Sequence, residues 1–182
     1  MSRTRKTVAN SHVRDIATSW ARERPDVDPL DYLLPIYLIR IGRIVDRMGD
    51  QRWQRTFGLS SSEIRVLFAL RRSGGDYARR PTDLFRALLV TSGAITKKVD
   101  RLSTAGLVKR RPDPADKGGF LVHLTAKGKQ VADQALASLA DSSIVSKGQI
   151  SLSRQERKLM IKLCERVLLD FEANPEVNAS FE

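Results

Sequence analysis

The sequence predicts a mainly α-helical fold with one small β-hairpin. In several long segments the apolar residues recur three or four positions apart, which is the period of a helix with one buried face. In residues 120–124, by contrast, Phe, Val and Leu alternate with other residues, as in a half-buried strand. A loop rich in proline and glycine at 112–119 separates this strand from a short extended segment at 107–111. These two segments are therefore expected to pair as a hairpin.

The N-terminal part is predicted to hold two helices behind a disordered basic tail at residues 1–10. The first helix covers residues 11–23 and carries Trp20 on its apolar face. Asp28 followed by proline is typical of a helix start, so we expect a second, long helix from Leu30 to about Phe57. Pro35 near its beginning should bend or delay that helix. Trp53, close to its end, is expected in the core.

Residues 58–125 contain the start signals of three further helices before the hairpin. Ser60 and Glu63 have the spacing of a capping box, Pro81 suits the first position of a short helix, and Thr91 is a suitable cap for the third. The third helix should stop at Gly106. Three helices followed by a hairpin is the element order of a winged helix-turn-helix, with the hairpin as its wing.

Residues 126–172 are predicted to form C-terminal helices, followed by a frayed tail at 173–182. Thr125 caps a helix that runs toward Ser146, and Ser153 opens the last one with a second capping box. The last helix carries a wide apolar stripe, made of Leu159, Met160, Leu163, Val167, Leu168 and Phe171. The single cysteine, Cys164, is expected to pack there as a small hydrophobic residue. Such a stripe, like that of residues 30–57, exceeds what one winged helix covers, so we expect a homodimer built from the flanking helices.

The charge distribution indicates which class of molecule the protein binds. The net charge is +11, and residues 71–117 hold twelve Lys and Arg against five Asp, a local net charge of +7. A concentrated positive stretch within a folded region favours a polyanion such as nucleic acid. The sequence has no apolar run long enough to span a membrane and no signal peptide, and its single cysteine fits a reducing cytoplasm. We expect a cytoplasmic protein.

No set of residues predicts catalysis. The sequence has no glycine-rich phosphate loop, no plausible Ser/His/Asp grouping and no Cys/His spacing suited to a metal. The two histidines, His12 and His123, are too few and too far apart for a metal site. We therefore expect no enzyme, no cofactor and no metal.

The third helix and the hairpin supply the candidate residues for binding double-stranded DNA. Short hydroxyl side chains at the helix start allow close approach to base edges and phosphates, and the helix dipole favours phosphate there. Basic side chains further along the helix can reach bases or backbone, and basic residues on the wing can enter a minor groove or follow phosphates. The candidates are Thr91, Ser92, Thr96, Lys97 and Arg101 on the helix, and Arg110, Arg111 and Lys117 on the wing.

An ordered set of short motifs resembles the MarR family of bacterial regulators. These motifs are Pro81-Thr-Asp-Leu84, Ser92-Gly-Ala-Ile-Thr96, Asp100-Arg-Leu102, Ala105-Gly-Leu-Val108, Arg111-Pro-Asp-Pro-Ala-Asp116 and Leu124-Thr-Ala-Lys-Gly128. The resemblance covers roughly residues 30–171. It implies a dimer held by N- and C-terminal helices that binds a pseudo-palindromic operator. Where the family wing usually reads Asp-Arg-Arg, this sequence has Asp116-Lys-Gly118, which implies a weaker or differently aimed wing contact.

The N-terminal segment is similar to the added helix of the urate-responsive, PecS-like and HucR-like subgroup. In that subgroup a tryptophan of the added helix helps to form a ligand pocket, and Trp20 matches it. Arg65 stands where members commonly carry an aspartate, which points away from urate. With Arg86 as a second cation, the resemblance implies a pocket for a small anionic aromatic compound such as a phenolic acid. The alternative for Arg65 is a solvent-exposed position on its helix.

Together these observations predict a sequence-specific transcription regulator, a repressor that a small ligand releases from DNA. The alternative is a constitutive or architectural DNA-binding protein without a ligand. A third possibility is a protein-interaction module, which would show weak salt dependence, whereas phosphate contacts give a steep one.

Overall fold

The computed structural model describes residues 4–142 and 151–174, and the side chains of 13, 15–139 and 151–174. It confirms the mainly α-helical fold with a small antiparallel sheet. The elements in chain order are α1 (Thr4–Glu23), α2 (Pro29–Phe57), α3 (Ser61–Arg71), β1 (Ala78–Arg79), α4 (Pro81–Leu88), α5 (Ser92–Thr104), β2 (Val108–Asp113), β3 (Asp116–Leu124), α6 (Ala126–Ser142) and α7 (Arg154–Glu172). None of the helices in the described ranges is long and apolar enough to cross a membrane.

The chain divides into two compact units, residues 1–52 and 53–182. In the first unit α1 begins at Thr4, whereas the sequence predicted a disordered tail up to residue 10. No proline or glycine lies between Thr4 and Ser11, so nothing in this segment stops the helix from extending backward. The Tyr32 hydroxyl donates to the carbonyl of Ala17 at 3.4 Å, which joins α2 to α1.

Helix α2 begins as the sequence indicates. The Asp28 carboxylate accepts a hydrogen bond from the backbone N–H of Leu30 at 2.8 Å, and Pro29 is the first helical residue. Pro35 does not delay the helix, which starts six residues earlier and continues through it. Only one backbone donor is lost at a proline, and the long helix retains its other hydrogen bonds.

The second unit contains the hydrophobic core, and α3 lies at its centre. Ile64, Leu67 and Leu70 of α3 are fully buried. The other core residues come from the end of α2 and from α4, α5, the sheet and α6; among them are Trp53, Leu84, Ile95, Val99, Leu102, Leu107, Val108, Val122, Leu124, Ala132 and Ala135. The expected core position of Trp53 is confirmed. These elements make the three helices and hairpin of a winged helix-turn-helix.

The sheet has three strands in the order β1-β3-β2, all antiparallel. In the hairpin Val108 lies opposite Leu124 and Arg111 opposite Leu121. On the other side of β3, Ala78 pairs with His123. The sequence did not predict β1, because two residues are too few to show an alternating pattern.

The predicted caps form as expected, and one glycine has a packing role. Ser60 and Ser153 each cap a helix with a complete capping box, and the Thr125 hydroxyl accepts from the N–H of Gly128 at 3.0 Å. A Cβ at Gly128 would lie 2.0 Å from the carbonyl oxygen of Leu107. Gly128 therefore lets α6 pack closely against the chain just before β2. The expected continuation of this helix to Ser146 lies outside the described residues beyond 142.

Both flanking helices expose large apolar side chains. On α2 these are Leu30, Leu34, Tyr37, Ile39, Ile41, Ile44, Val45 and Met48, and on α7 they are Leu159, Met160, Ile161, Leu163, Leu168, Leu169 and Phe171. Helix α7 has no buried residue, so Cys164 is exposed rather than packed as predicted. The helical period identified the apolar stripe correctly, but no described element of the chain covers it. Of the predicted tail, residues 175–182 lie outside the described residues.

Candidate nucleic-acid interface

Helix α5 buries one face and exposes the remainder. Ile95, Val99 and Leu102 are buried in the core, as the helical spacing predicts. Thr91 is the N-cap, and its hydroxyl accepts from the N–H of Ala94 at 3.4 Å. The first turn of the helix therefore points its backbone donors and its positive dipole end into solvent, where a phosphate can bind.

The hydroxyl residues of α5 are exposed near this helix start. Thr91, Ser92 and Thr96 all face solvent. The Thr96 hydroxyl donates to the carbonyl of Ser92 at 3.1 Å, which uses its proton within the helix. Its oxygen keeps lone pairs that can accept from a base amino group. The helix thus offers a compact polar surface at the end where close approach is possible.

Three of the predicted cations are exposed and take part in no ion pair within the described ranges. Lys97 lies on α5, Arg111 on β2 and Lys117 on β3 beside the hairpin turn, which is only residues 114–115 because the strands extend into the predicted loop at 112–119. Because no carboxylate of the described residues engages their ammonium and guanidinium groups, these groups are available to an external anion. They are the strongest candidates for contacts with a nucleic acid backbone or base edge.

Arg101 has a different environment from Lys97, the other α5 cation predicted to contact DNA. Its Nε lies 3.1 Å from Oε1 of Glu63, whose side chain is only 2% exposed, while the Arg101 side chain is 67% exposed. The Arg101 guanidinium therefore contacts a buried carboxylate at the start of α3, while most of the Arg101 side chain remains exposed to solvent. Sequence reasoning identified Glu63 only as a capping residue, because a contact between positions 63 and 101 leaves no local signal.

Arg110 is also held within the protein. Its guanidinium forms an ion pair with Asp100 of α5 and lies over the ring of Phe120, 4.8 Å from the ring centroid. This ion pair joins the wing to α5, the helix predicted to contact DNA and called the recognition helix below. Of the two wing arginines predicted to contact phosphate, Arg111 is exposed without such a pairing and Arg110 is engaged.

A further ion pair joins the start of α4 to the hairpin, and the sequence analysis did not predict it. Arg80 Nε donates to Asp113 Oδ2 at 2.5 Å, and the other Asp113 oxygen accepts from the N–H of Ala115 at 2.9 Å. The Arg80 guanidinium and this backbone donor hold the pKa of Asp113 below its usual range, and Asp113 raises the pKa of Arg80. The pair joins the start of α4 to the turn end of the wing, where Asp113 lies opposite Asp116.

The three predicted ligand residues are distributed over both units. In the first unit, Trp20 is half exposed and borders a hollow of about 290 Å³ that is also lined by Arg24, Val27, Tyr32 and Ile36. Arg65 and Arg86 belong to the second unit, and both are exposed.

Arg86 borders a separate hollow of about 290 Å³ together with Arg72, Arg79 and Asp83. Within the described part of the chain no group of three or more His, Cys, Asp or Glu side chains is suited to hold a metal ion.

Comparison with known proteins agrees with this geometry. A family model described as "MarR family" matches residues 57–117. The HTH-type transcriptional regulator PecS of Dickeya dadantii is 34% identical over 116 residues, which cover 64% of this chain and 69% of PecS. The multiple antibiotic resistance protein MarR of Escherichia coli is 29% identical over 103 residues, which cover 53% of this chain and 69% of MarR.

Solved structures show the same fold. A mutant of E. coli MarR complexed with operator DNA aligns with a TM-score of 0.60 and 26% identity, covering 78% of this chain and 99% of that one. Sco3205 of Streptomyces coelicolor, in complex with DNA, aligns with a TM-score of 0.70 and 21% identity, covering 82% and 92%, and supports the fold alone. Together with the identity to PecS, this shows that the chain belongs to the MarR family of transcriptional regulators.

Proposed function

We propose that this protein is a sequence-specific DNA-binding repressor that acts in the cytoplasm as a homodimer. Thr91, Ser92, Thr96 and Lys97 enter the major groove with α5, while Arg111 and Lys117 of the wing contact phosphates. The observation that carries the proposal is the exposed polar and cationic surface on α5 and the wing, supported from behind by the buried core. The E. coli MarR mutant crystallised with operator DNA, which is 26% identical to this chain, supports DNA binding.

The dimer follows from the apolar side chains on α2 and α7. Large apolar side chains that recur along the exposed face of a helix are typical of a surface that another chain covers. A homodimer would present two copies of α5 to one DNA duplex. Two-fold symmetry then requires a pseudo-palindromic operator with half-sites about one helical turn apart.

DNA binding is tested by selecting sites from a random-sequence duplex pool and from the DNA flanking the gene. Affinity for a selected site and for a scrambled duplex is then measured over a salt series. We expect a preference of at least about a thousandfold for the selected site and a steep fall in affinity with salt. A shallow salt dependence with no selected sequence would instead identify a protein-interaction module.

Two variants separate the roles of helix and wing. Lys97→Ala should change which base pairs are preferred, since Lys97 lies on the helix that enters the groove. Arg111→Ala should weaken all sequences alike and reduce the salt slope by about 1, since it touches phosphate. Unchanged operator discrimination in Lys97→Ala would contradict the assignment of this face to the groove.

We further propose that a small anionic aromatic ligand releases the protein from DNA. The support is the Trp20 hollow, where an indole face, a tyrosine and a guanidinium lie together. The Arg24 guanidinium there is paired with Asp26 at 2.6 Å, so a carboxylate ligand would compete with that pair. Arg65 and Arg86, which the resemblance implied as further cations, belong to the second unit and are not among the residues that line this hollow. A ligand acts by binding better to a protein state whose recognition helices no longer match the half-sites.

Calorimetric titration of salicylate, benzoate and urate tests the ligand. We expect the aromatic acids to bind, and Trp20→Ala and Arg65→Ala each to weaken them about tenfold. Tight urate binding that does not depend on Arg65 would contradict the proposed ligand class. If none of the three compounds binds or releases operator DNA, the protein is better described as a constitutive or architectural DNA-binding protein.

A further inference from the structure

The buried carboxylate of Glu63 is shared between two structural tasks. Its Oε2 accepts from the backbone N–H and from the hydroxyl of Ser60, both at 2.8 Å, and this closes the capping box of α3. Its Oε1 faces Arg101 Nε at 3.1 Å. The two oxygens are therefore divided between the start of α3 and the recognition helix α5, whose buried residues Ile64 and Ile95 belong to the same hydrophobic core.

A second ion pair holds α5 at the neighbouring position. Asp100 pairs with Arg110 of the wing, while Arg101 pairs with Glu63 of α3. Adjacent residues of an α-helix point about 100° apart, so the two pairs engage different sides of α5. One side is linked to α3 and the other to the hairpin.

We propose that Glu63 and Arg101 are positioning residues that fix the angle of the recognition helix, and that Arg101 does not itself read DNA. This inference rests on the proposed DNA binding. Solvent hardly screens the charge of a buried carboxylate. A buried carboxylate therefore attracts a guanidinium more strongly than an exposed carboxylate does. Moving Arg101 to a phosphate or a guanine would leave the charge of Glu63 buried without its cation, which is costly. Arg101 therefore stays with Glu63 when DNA binds.

The two possible roles of Arg101 predict opposite effects of Glu63→Gln. Glutamine keeps the capping box, because its amide oxygen can accept from Ser60. Its amide nitrogen then faces Arg101, and a donor cannot hold the guanidinium. If Arg101 positions α5, operator affinity falls. If Arg101 contacts DNA, removing its intramolecular competitor leaves affinity unchanged or raises it.

The experiment measures operator affinity, operator discrimination and salt slope for Glu63→Gln, Arg101→Gln, Arg101→Lys and the double variant Glu63→Gln/Arg101→Gln. All are assayed as full-length protein well below their thermal midpoints, so that the folded fraction stays near one. Lys97→Gln serves as the matched control on the same helix. It should change the base preference, because Lys97 is the α5 cation proposed to contact base edges in the groove.

We expect each single change at Glu63 and Arg101 to lower operator affinity about tenfold and to narrow discrimination against the scrambled duplex, with the salt slope unchanged. The double variant should lose no more than either single one, because both disrupt the same pair. Arg101→Lys should restore part of the affinity, since a lysine ammonium can approach Oε1.

A salt slope lowered by about 1 in Arg101→Gln, or a Glu63→Gln protein that binds operator as well as wild type, would overturn the inference. Lowered thermal stability with unchanged affinity and discrimination would also overturn it, since the pair would then be purely structural. Absence of any operator binding by wild type would instead refute the proposed function itself.

Discussion

The winged helix and the flanking helices use their apolar residues in opposite ways. Leu67 of α3 and its neighbours are fully buried within the chain, whereas Leu163 and Leu168 of α7 are each about half exposed at 49%. Both sets follow the same helical spacing in the sequence. The difference indicates that the winged helix is stabilised by its own core, while the flanking helices are suited to association with a second chain.

The ion pairs show a related division within the winged helix. Arg80, Arg101 and Arg110 are each bound to a carboxylate of the same unit. Lys97 and Arg111 lie nearby on the same elements, and no ion pair within the described ranges involves them. Cations of similar sequence context thus serve two purposes, since some join α4, α5 and the hairpin while others remain available to DNA.

The largest expected effect is the loss of a core side chain. Leu67→Ala should lower the free energy of unfolding by about 2–5 kcal/mol, through lost burial and an unfilled cavity. Denaturant unfolding followed by circular dichroism measures it. Leu168→Ala is the matched control on α7 and, at protein concentrations low enough to keep the chain monomeric, should change the unfolding free energy by less than about 0.5 kcal/mol. Equal losses of unfolding free energy in the two variants would contradict the expectation that buried Leu67 contributes more to stability than exposed Leu168.

A polar substitution on the apolar face of α7 should weaken the association of two chains into a dimer. Leu163→Gln is expected to raise the dimer dissociation constant roughly hundredfold, since two copies of the side chain, each contributing about 1.5 kcal/mol, lose their buried contacts. Sedimentation equilibrium measures the constant. Glu165→Gln places the same residue on the opposite side of α7 and should leave it unchanged. A wild-type protein that is monomeric at micromolar concentration would refute the proposed dimer.

A smaller effect is expected where α6 meets the chain before β2. Gly128→Ala would bring a methyl group into the carbonyl oxygen of Leu107, and a backbone atom cannot move aside as a side-chain tip can. We expect a loss of about 1–3 kcal/mol in unfolding free energy. Gly42→Ala is the control, because a Cβ there meets nothing within 4 Å. A Gly128→Ala protein as stable as wild type would contradict the close packing of α6.

The smallest effect concerns acid sensitivity at the turn end of the wing, where Asp113 pairs with Arg80. Because the folded-state pKa of Asp113 is lowered, mainly by Arg80, its ionised form stabilises the fold above the ordinary carboxyl pKa of about 3.9. That contribution is lost as the pH falls through the lower, folded-state pKa. Asp113→Asn and Arg80→Gln should therefore each flatten the decline in stability below about pH 4. Thermal melts across pH 3 to 6 provide the measurement, and a decline identical to that of wild type would contradict the assignment.

The sequence alone determined most of the fold, because its signals were local. Capping residues such as Ser60, Thr91 and Ser153, the apolar periods and the alternation at 120–124 each depend on residues a few positions apart. The same reasoning placed Thr91, Ser92, Thr96 and Lys97 at the start of the recognition helix, since helix geometry fixes which side chains lie near an N-terminus.

Only the tertiary structure decided which residues meet across long separations. It paired Glu63 with Arg101 and Asp113 with Arg80, added β1 to the sheet and left α7 exposed with Cys164. A period of three or four residues reports that a helix has an apolar face, but it is the same whether the face is covered by the same chain or by another. Likewise a lysine or arginine has the same local pattern whether its charge is neutralised by a carboxylate 38 residues away in the sequence or directed outward to DNA.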